Sequence, residues 1–271
     1  MTHTLRVCTL NIWNYNDPWI RRRQLIVDTI REWQPDVIGF QEIRHSGSKN
    51  DGNKNQAQQL AQTLGDYTYI YQPAQRNPEK DEWEGLAIFS RLPIVGSSFV
   101  NLSLDPTDAR DNHQRIVLHA QLNGPAGSFH FFNTHLSLSE QGRIRTTREI
   151  TDYVAQYAGD LPSVLVGDFN DTPDRMSIRH ITGDAGLCDV WDHLNPDNPG
   201  WTFSSENAYV RQRNHDTRKA HRIDYIFAQP RSGETGRMIT CKRIADTADP
   251  DGLFPSDHFG LIADIALGDA V

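Results

Sequence analysis

Hydrophobic and polar positions alternate from the start of the chain, and Leu5-Arg6-Val7-Cys8-Thr9-Leu10-Asn11-Ile12 reads as a half-buried β-strand. Asp17 and Pro18 then have the chemistry of a helix cap and a first helical position. Beyond them Leu25, Ile26, Ile30 and Trp33 form an apolar stripe at helical spacing. Arg21, Arg22, Arg23 and Glu32 lie largely off that stripe, and Pro35 ends the helix. Val37-Ile38-Gly39-Phe40 is apolar without interruption, as in a strand covered on both faces, with Glu42 just beyond its end. A polar loop over residues 46–53 leads to a helix over 55–64 that Gly65 closes. Further strand-like runs occupy residues 67–71, 86–90, 94–102, 116–122, 128–133, 164–166, 222–227, 238–244 and 259–267. A long amphipathic helix is expected over 140–157.

Strands outnumber helices, and hairpin-like neighbours mix with helical crossovers. The mixture predicts an α+β fold, a four-layer α/β/β/α sandwich of two mostly antiparallel sheets flanked by helices. No repeat, low-complexity tract or Pro/Gly/Ser-rich linker divides the sequence, so residues 1–271 are expected to form a single domain. Hydrophobic residues at 37% and charged residues at 23% suit a globular chain with a substantial core. A formal net charge of −8 argues against a whole-surface binder of nucleic acid or anionic membrane, while leaving room for a local basic patch. Cys8, Cys188 and Cys241 are widely spaced and odd in number, with neither zinc-site spacing nor a disulfide framework, and read as reduced thiols in or near the core. No apolar stretch is long enough to cross a bilayer and no signal segment opens the chain. A cytoplasmic location without a membrane anchor or a legible obligate protein partner is the expectation.

The chemistry lies in where the acids and amides fall. Asn11, Glu42, Asp168, Asn170, Asp224 and Asp257 each sit inside or at the end of an apolar, strand-like run. One such residue is usually a cap or a turn former, and Gly167 beside Asp168 suits a turn. Together they pose a different problem, because a buried carboxylate is costly unless it is paired or ligates a metal. Hard cations such as Mg2+, with Mn2+ able to substitute, take oxygen ligands of this kind. Two histidines, His135 and His258, accompany these acids at strand ends, a setting suited to proton transfer or phosphate contact. His3, His45, His113, His119, His130, His180 and His193 have no such setting and read as ordinary.

Thr9-Leu10-Asn11-Ile12-Trp13-Asn14, Gln41-Glu42-Ile43, Asn133-Thr134-His135-Leu136, Gly167-Asp168-Phe169-Asn170, Arg222-Ile223-Asp224-Tyr225-Ile226 and Ser256-Asp257-His258 resemble, in order, the motif set of the endonuclease/exonuclease/phosphatase superfamily. Each tripeptide alone is weak, but the ordered set spans residues 9–258. The resemblance implies a magnesium-dependent phosphoester hydrolase. Glu42 would be the principal metal ligand, with Asn11 beside it and Asp257 completing the carboxylate side. Asp168 would orient or deprotonate the attacking water, Asn170 would donate to a phosphoryl oxygen, and His258 would act as base or phosphate contact, held by Asp224. Glu84 resembles a glutamate that pairs with the histidine equivalent to His135 in pancreatic deoxyribonuclease. Arg115, heading its strand, resembles an arginine found near the site in several branches.

Histidine in Thr134-His135-Leu136 points away from the exonuclease III branch, and the 222–226 motif lacks the tryptophan typical of inositol polyphosphate 5-phosphatases. Deoxyribonuclease, sphingomyelinase and deadenylase-like members remain, so the substrate class stays open between nucleic acid, lipid head group and sugar phosphate. Arg211, Arg213, Arg218, Lys219 and Arg222, with His215 and His221 alongside and only Glu206 and Asp216 against them, form a basic segment before the Asp224 motif. It is the candidate phosphate-collecting rim, and favours nucleic acid over lipid. Trp13, Trp19 and Trp83 are candidates to line a pocket or stack a base. A non-catalytic phosphate-binding member of the fold is the competing class. It should lack a metal or proton-transfer position, and this sequence has them all.

Overall fold

The computed structural model describes residues 3–158, 161–214, 220–229 and 237–266. The chain runs β1 (Thr4–Asn11), α1 (Trp19–Trp33), β2 (Val37–Ser46), α2 (Gln56–Leu64), β3 (Thr68–Asn77), β4 (Glu82–Ser90) and β5 (Ile94–Asn101). Next come β6 (Ile116–Gly124), β7 (Gly127–His135), α3 (Glu140–Ala158), β8 (Ser163–Asp168), α4 (Met176–Arg179), β9 (Cys188–Asp189) and α5 (Val190–Leu194). The remainder is β10 (Phe203–Ser204), α6 (Ala208–Asn214), β11 (Ala220–His221), β12 (Asp224–Ala228), β13 (Met238–Ile244) and β14 (Gly260–Ala266).

One six-stranded sheet has the order β13-β14-β1-β2-β4-β3 and the other β5-β6-β7-β8-β12-β9. Each contains one parallel pair, β1 with β2 and β7 with β8, each joined by a connection that carries a helix. All other pairings within the two sheets are antiparallel, as expected. Leu5, Val7, Val37 and Ile88 of the first sheet meet Leu118, Phe131, Val164 and Ile226 of the second in a central core. Ile26, Val27, Ile30 and Leu60 of α1 and α2 cover the outer face of the first sheet. Ile150 and Val154 of α3, with Ile178 of α4, cover the second. The four layers of the expected sandwich are all present.

Four local expectations fail, each for a physical reason. β1 is buried along almost its whole length because both its faces are covered: Leu5 and Val7 pack between the sheets, and Cys8 and Leu10 pack under α1 and α2. Asp17 does not cap α1: Pro18 stands at the N-cap with no side-chain hydrogen bond, and Asp17 is exposed. Arg22, placed off the apolar stripe, is fully buried among backbone carbonyls. Trp19 belongs to the core rather than to a pocket, its indole N–H donating to Gln59. Cys8 and Cys241 are buried and Cys188 is half-buried, all three unpaired.

Candidate active site

The two parallel pairs bring the ends of β1, β2, β7 and β8 to one edge of the sandwich, and the acids of the motifs collect there. Gly39 allows this close approach, since a Cβ on it would meet the Val166 side chain at 2.5 Å. Beneath the edge the Gln41 amide donates to Asn133 at 2.7 Å, and Asn133 donates to the carbonyls of Phe40 and Ala87, tying the two sheets together. β2 does not stop at Phe40. Its register with β4 shifts between Phe40 and Ile43, and Glu42 takes a left-handed φ of 56°. A bulge of this kind re-aims a side chain. Here Glu42 Oε1 accepts from Asn11 at 3.1 Å and Oε2 from Asn14 at 2.8 Å.

Asp168 ends β8 at the centre of the group. Gly167 precedes it with φ 152°, and a Cβ there would meet the Thr134 carbonyl at 2.1 Å, so glycine is required where β8 runs beside β7. Asp168 Oδ2 accepts from Asn11 Nδ2 at 3.0 Å, and lies 3.5 Å from His135 Nε2 and 3.7 Å from His258 Nε2. The Asn170 backbone N–H donates to Asp168 Oδ1 at 2.9 Å, and the Asn170 side chain donates to the Leu136 carbonyl. Asp224 begins β12, directly opposite Asp168 in the ladder, and its Oδ2 meets His258 Nδ1 at 2.9 Å. Thr202 Oγ1 fixes that strand start by accepting from the N–H groups of Ile223 and Asp224.

These contacts set the protonation states. Burial pushes Asp168 up to about 6, with Asp224 adding to it and His258 opposing. Removal from water likewise lifts Glu42 to about 7, reinforced by Glu84 and Asp257, and raises Asp257. Burial opposes charge on His258 too, but Asp224 and Asp168 outweigh it and hold the imidazole well above its ordinary value. His135 goes the other way, pushed well down by burial, then by Arg115 and His258. One histidine of the site is held cationic and the other neutral.

A cleft of about 630 Å³ opens over this centre. Glu42, Glu84, Arg115, His135, Asp168, Asn170, Asp257 and His258 line it, whereas Asn11 and Asp224 lie fully buried behind. Glu84 does not orient His135: its carboxylate pairs with Arg44 at 2.7 Å, and among the described residues the carboxylate that pairs with His135 is Asp168, at 3.5 Å. Asp257 Oδ2 is held by Arg213 Nη2 at 2.7 Å. The basic rim is only partly realised. Arg213 lines the cleft, but Arg211 donates to the Ser205 carbonyl and is not among the lining residues. Arg222 is buried, paired with Asp189 and lying over the Tyr225 ring, so it collects no phosphate. His215, Asp216, Arg218 and Lys219 lie outside the described residues. Trp13 lines the cleft as expected of a pocket residue, while Trp83 packs on His45. Reading the sequence alone missed Asn14, Thr202 and Phe203, whose ring packs 5.0 Å from that of His258, and took His113 as ordinary although it lines the cleft. Asn14 stands inside a quoted motif and was the one within reach of the sequence.

The donor set fits a hard divalent cation. Glu42 accepts only amide N–H donors, and among the described residues no basic side chain pairs with it, although Glu84 and Asp257 crowd it with like charge. Ligand atoms of Asp168, Asp224 and His258 also lie within 4.8 Å of one another, although the Nδ1 of that imidazole is already engaged by Asp224.

The profile of the Endonuclease/Exonuclease/phosphatase family matches residues 8–258. Nocturnin of Drosophila melanogaster is 26% identical over 92% of this chain and 42% of its own length. Human nocturnin is 24% identical over 92% of this chain and 58% of its own, so the chain spans about half the length of these curated relatives. An endonuclease/exonuclease/phosphatase family protein from Bacteroides thetaiotaomicron shares the fold with a TM-score of 0.76 at 21% identity, covering 99% of each chain. The human nocturnin catalytic domain with a bound sulfate anion superposes with a TM-score of 0.72 at 20% identity, covering 98% of each.

Proposed function

Because the chain belongs to the endonuclease/exonuclease/phosphatase family, we propose that it hydrolyses a phosphoester bond with water as nucleophile, assisted by Mg2+, for which Mn2+ substitutes. The observation that carries this reading is the convergence of Asp168 with one cationic and one neutral histidine at the floor of the cleft. Glu42 and Asn11, with Asp257 beside them, would hold the metal. When bound it polarises a phosphoryl oxygen and offsets charge on the leaving oxygen.

The chain's own groups account for the proton and the orientation. Asp168, poised near 6, takes a proton from the water that attacks phosphorus as the bond to the leaving oxygen breaks. Asn11 and the Asn170 backbone fix the rotamer of that carboxylate by donating to its two oxygens. His258, kept protonated and oriented by Asp224, turns Nε2 toward the position where negative charge grows. Neutral His135 contributes a hydrogen bond without adding a second like charge beside His258. Arg115 and Arg213, which line the cleft next to His135 and Asp257 respectively, favour a substrate with more anionic character than one isolated monoester.

Purified protein assayed with Mg2+ or Mn2+ against DNA, RNA, a chromogenic phosphodiester, sphingomyelin and phosphorylated sugars should turn over at least one of them and stop when a chelator is added. Glu42→Gln should lose turnover while remaining folded. Full activity of that variant in chelator would remove the metal from the proposal.

A further inference from the structure

Among the described residues Arg22 is the largest fully buried side chain, yet none of their carboxylates pairs with it. Its guanidinium donates to the carbonyls of Ile12 at 2.7 Å, Trp13 at 3.2 Å, Asn14 at 2.8 Å and Asn16 at 2.6 Å, and across to Pro255 at 3.1 Å. The same group lies 5.0 Å from the Trp13 ring and 5.5 Å from the Trp19 ring. A buried cation is costly, and burial lowers its pKa to about 10, which still leaves it charged at neutral pH. The carbonyl oxygens repay that cost. In its absence the Ile12, Asn14, Asn16 and Pro255 carbonyls would lose this shared donor, while Trp13 would keep those of Asn16, in a loop where Trp13 and Asn14 already hold left-handed φ values of 58° and 35°.

The two segments that Arg22 joins both carry site residues. The loop after β1 presents Asn14, whose amide donates to Glu42, and Trp13, which lines the cleft. The other segment runs from Pro255 directly into Asp257 and His258, and its Ser256 hydroxyl donates to the Asn11 carbonyl at 2.6 Å. We propose that Arg22 is a positioning residue: an internal cation that clamps the 12–16 loop to the 255–258 turn and so holds Asn14, Glu42 and Asp257 in one arrangement. The proposal rests on the hydrolase reading for its catalytic consequence, but its geometric core concerns the metal-ligand side of the cleft alone.

The test uses Arg22→Lys, which keeps the charge and reaches fewer carbonyls, Arg22→Met, Asn14→Ala and the double variant Arg22→Lys/Asn14→Ala. Two readouts are taken at least about 10 °C below each variant's melting temperature. One is Mn2+ binding by calorimetry, with the metal alone. The other is kcat and KM on bis(4-nitrophenyl) phosphate. Arg22→Lys should weaken Mn2+ binding by about tenfold and lower kcat by about tenfold to a hundredfold, the size usual for groups that orient ligands, with KM changed less than about threefold. Because Arg22 acts in part through Asn14, the double variant should fall well short of the product of the single effects. A merely structural arginine would lower the melting temperature and leave Mn2+ affinity and kcat of the folded variant at wild-type values, and that result overturns the proposal. Fully multiplicative effects in the double variant overturn it too. If Arg22→Met does not fold, Arg22→Lys and the cycle decide. If wild type hydrolyses nothing, the hydrolase reading fails, while the Mn2+ comparison still decides the role of Arg22.

Discussion

Among the described residues two pairs of histidines are buried, and they differ in what surrounds them. His135 and His258 flank Asp168 at the cleft, with Asp224 behind. His119 of β6 and His130 of β7 lie under α3, joined Nε2 to Nδ1 at 2.8 Å, with Ser98 bridging His119 to the hydroxyls of Tyr153 and Tyr157. His119 also stacks on Phe132, 4.8 Å between ring centres. No carboxylate enters this second cluster among the described contacts. Burial, then the neighbouring His130, therefore pushes His119 down to about 4, and burial lowers His130 as well. At the cleft the same burial is overruled for His258 by two carboxylates. Exclusion from water thus leaves His119 a neutral packing residue while His258 is a charged, oriented group, and the carboxylates beside His258 make the difference.

The largest expected effect separates the two pairs directly. His258→Ala should lower kcat by about a hundredfold or more, the usual size for losing general acid–base help, whereas His119→Gln should leave kcat within about twofold at pH 8. Comparable losses in steady-state assays of the two variants would erase the distinction. Next in size is Asp224→Asn, expected to cost about tenfold to a hundredfold as a group acting through another. Removing that carboxylate lowers the His258 pKa, so the alkaline limb of the rate profile should move to lower pH. The acid limb, set by Asp168 near 6, should also move to lower pH, because Asp224 helps to raise that carboxyl. An alkaline limb that does not move shows that Asp224 is not what keeps His258 charged.

A smaller effect belongs to the second pair. His119 has a folded pKa of about 4, below its unfolded value of about 6.5. Unfolding therefore takes up a proton between these values. Stability is complete above about pH 6.5 and falls as pH drops toward 4. The full shift corresponds to about 3 kcal/mol, and with some water access to the cluster a loss of roughly 1–2 kcal/mol is expected. Thermal melts from pH 8 to 4 should show this acid arm in wild type and a flatter one in His119→Gln. The smallest effect concerns Arg213, exposed and paired with Asp257. Arg213→Ala should raise KM about threefold for an oligonucleotide and less for a small diester, with the gap closing as salt rises. Equal responses of the two substrates would withdraw Arg213 from substrate capture.

The layer architecture and the six motif positions were legible because strand alternation, apolar runs and ordered short motifs are local in sequence. Asn11, Glu42, His135, Asp168, Asn170, Asp224, Asp257 and His258 do meet at one edge, since the ends of β1, β7 and β8, the bulge of β2 and the starts of β12 and β14 lie there. Charge taken residue by residue was a poorer guide. Arg222 was read as part of a phosphate-collecting rim and Arg22 as lying off an apolar stripe, and both are buried, one on Asp189 and the other on carbonyls. Glu84 looked like the partner of His135 and chose Arg44, which faces it across the β2–β4 ladder.

By itself, then, the sequence determined which segments form the long strands and helices, that their apolar faces require two stacked sheets, and which acids stand at strand ends. Periodicity of 2 or 3.6 residues is written into neighbouring positions, and burial of apolar area follows from it. Only the tertiary structure decided who pairs with whom. Long-range partners such as Arg22 with Pro255, or His258 with Asp224, are chosen by the register of strands, the bulge at Glu42 and the close approach at Gly39 and Gly167. Protonation follows from those choices, because a pKa depends on the charges within a few ångströms and on access to water, neither of which is a property of sequence neighbours.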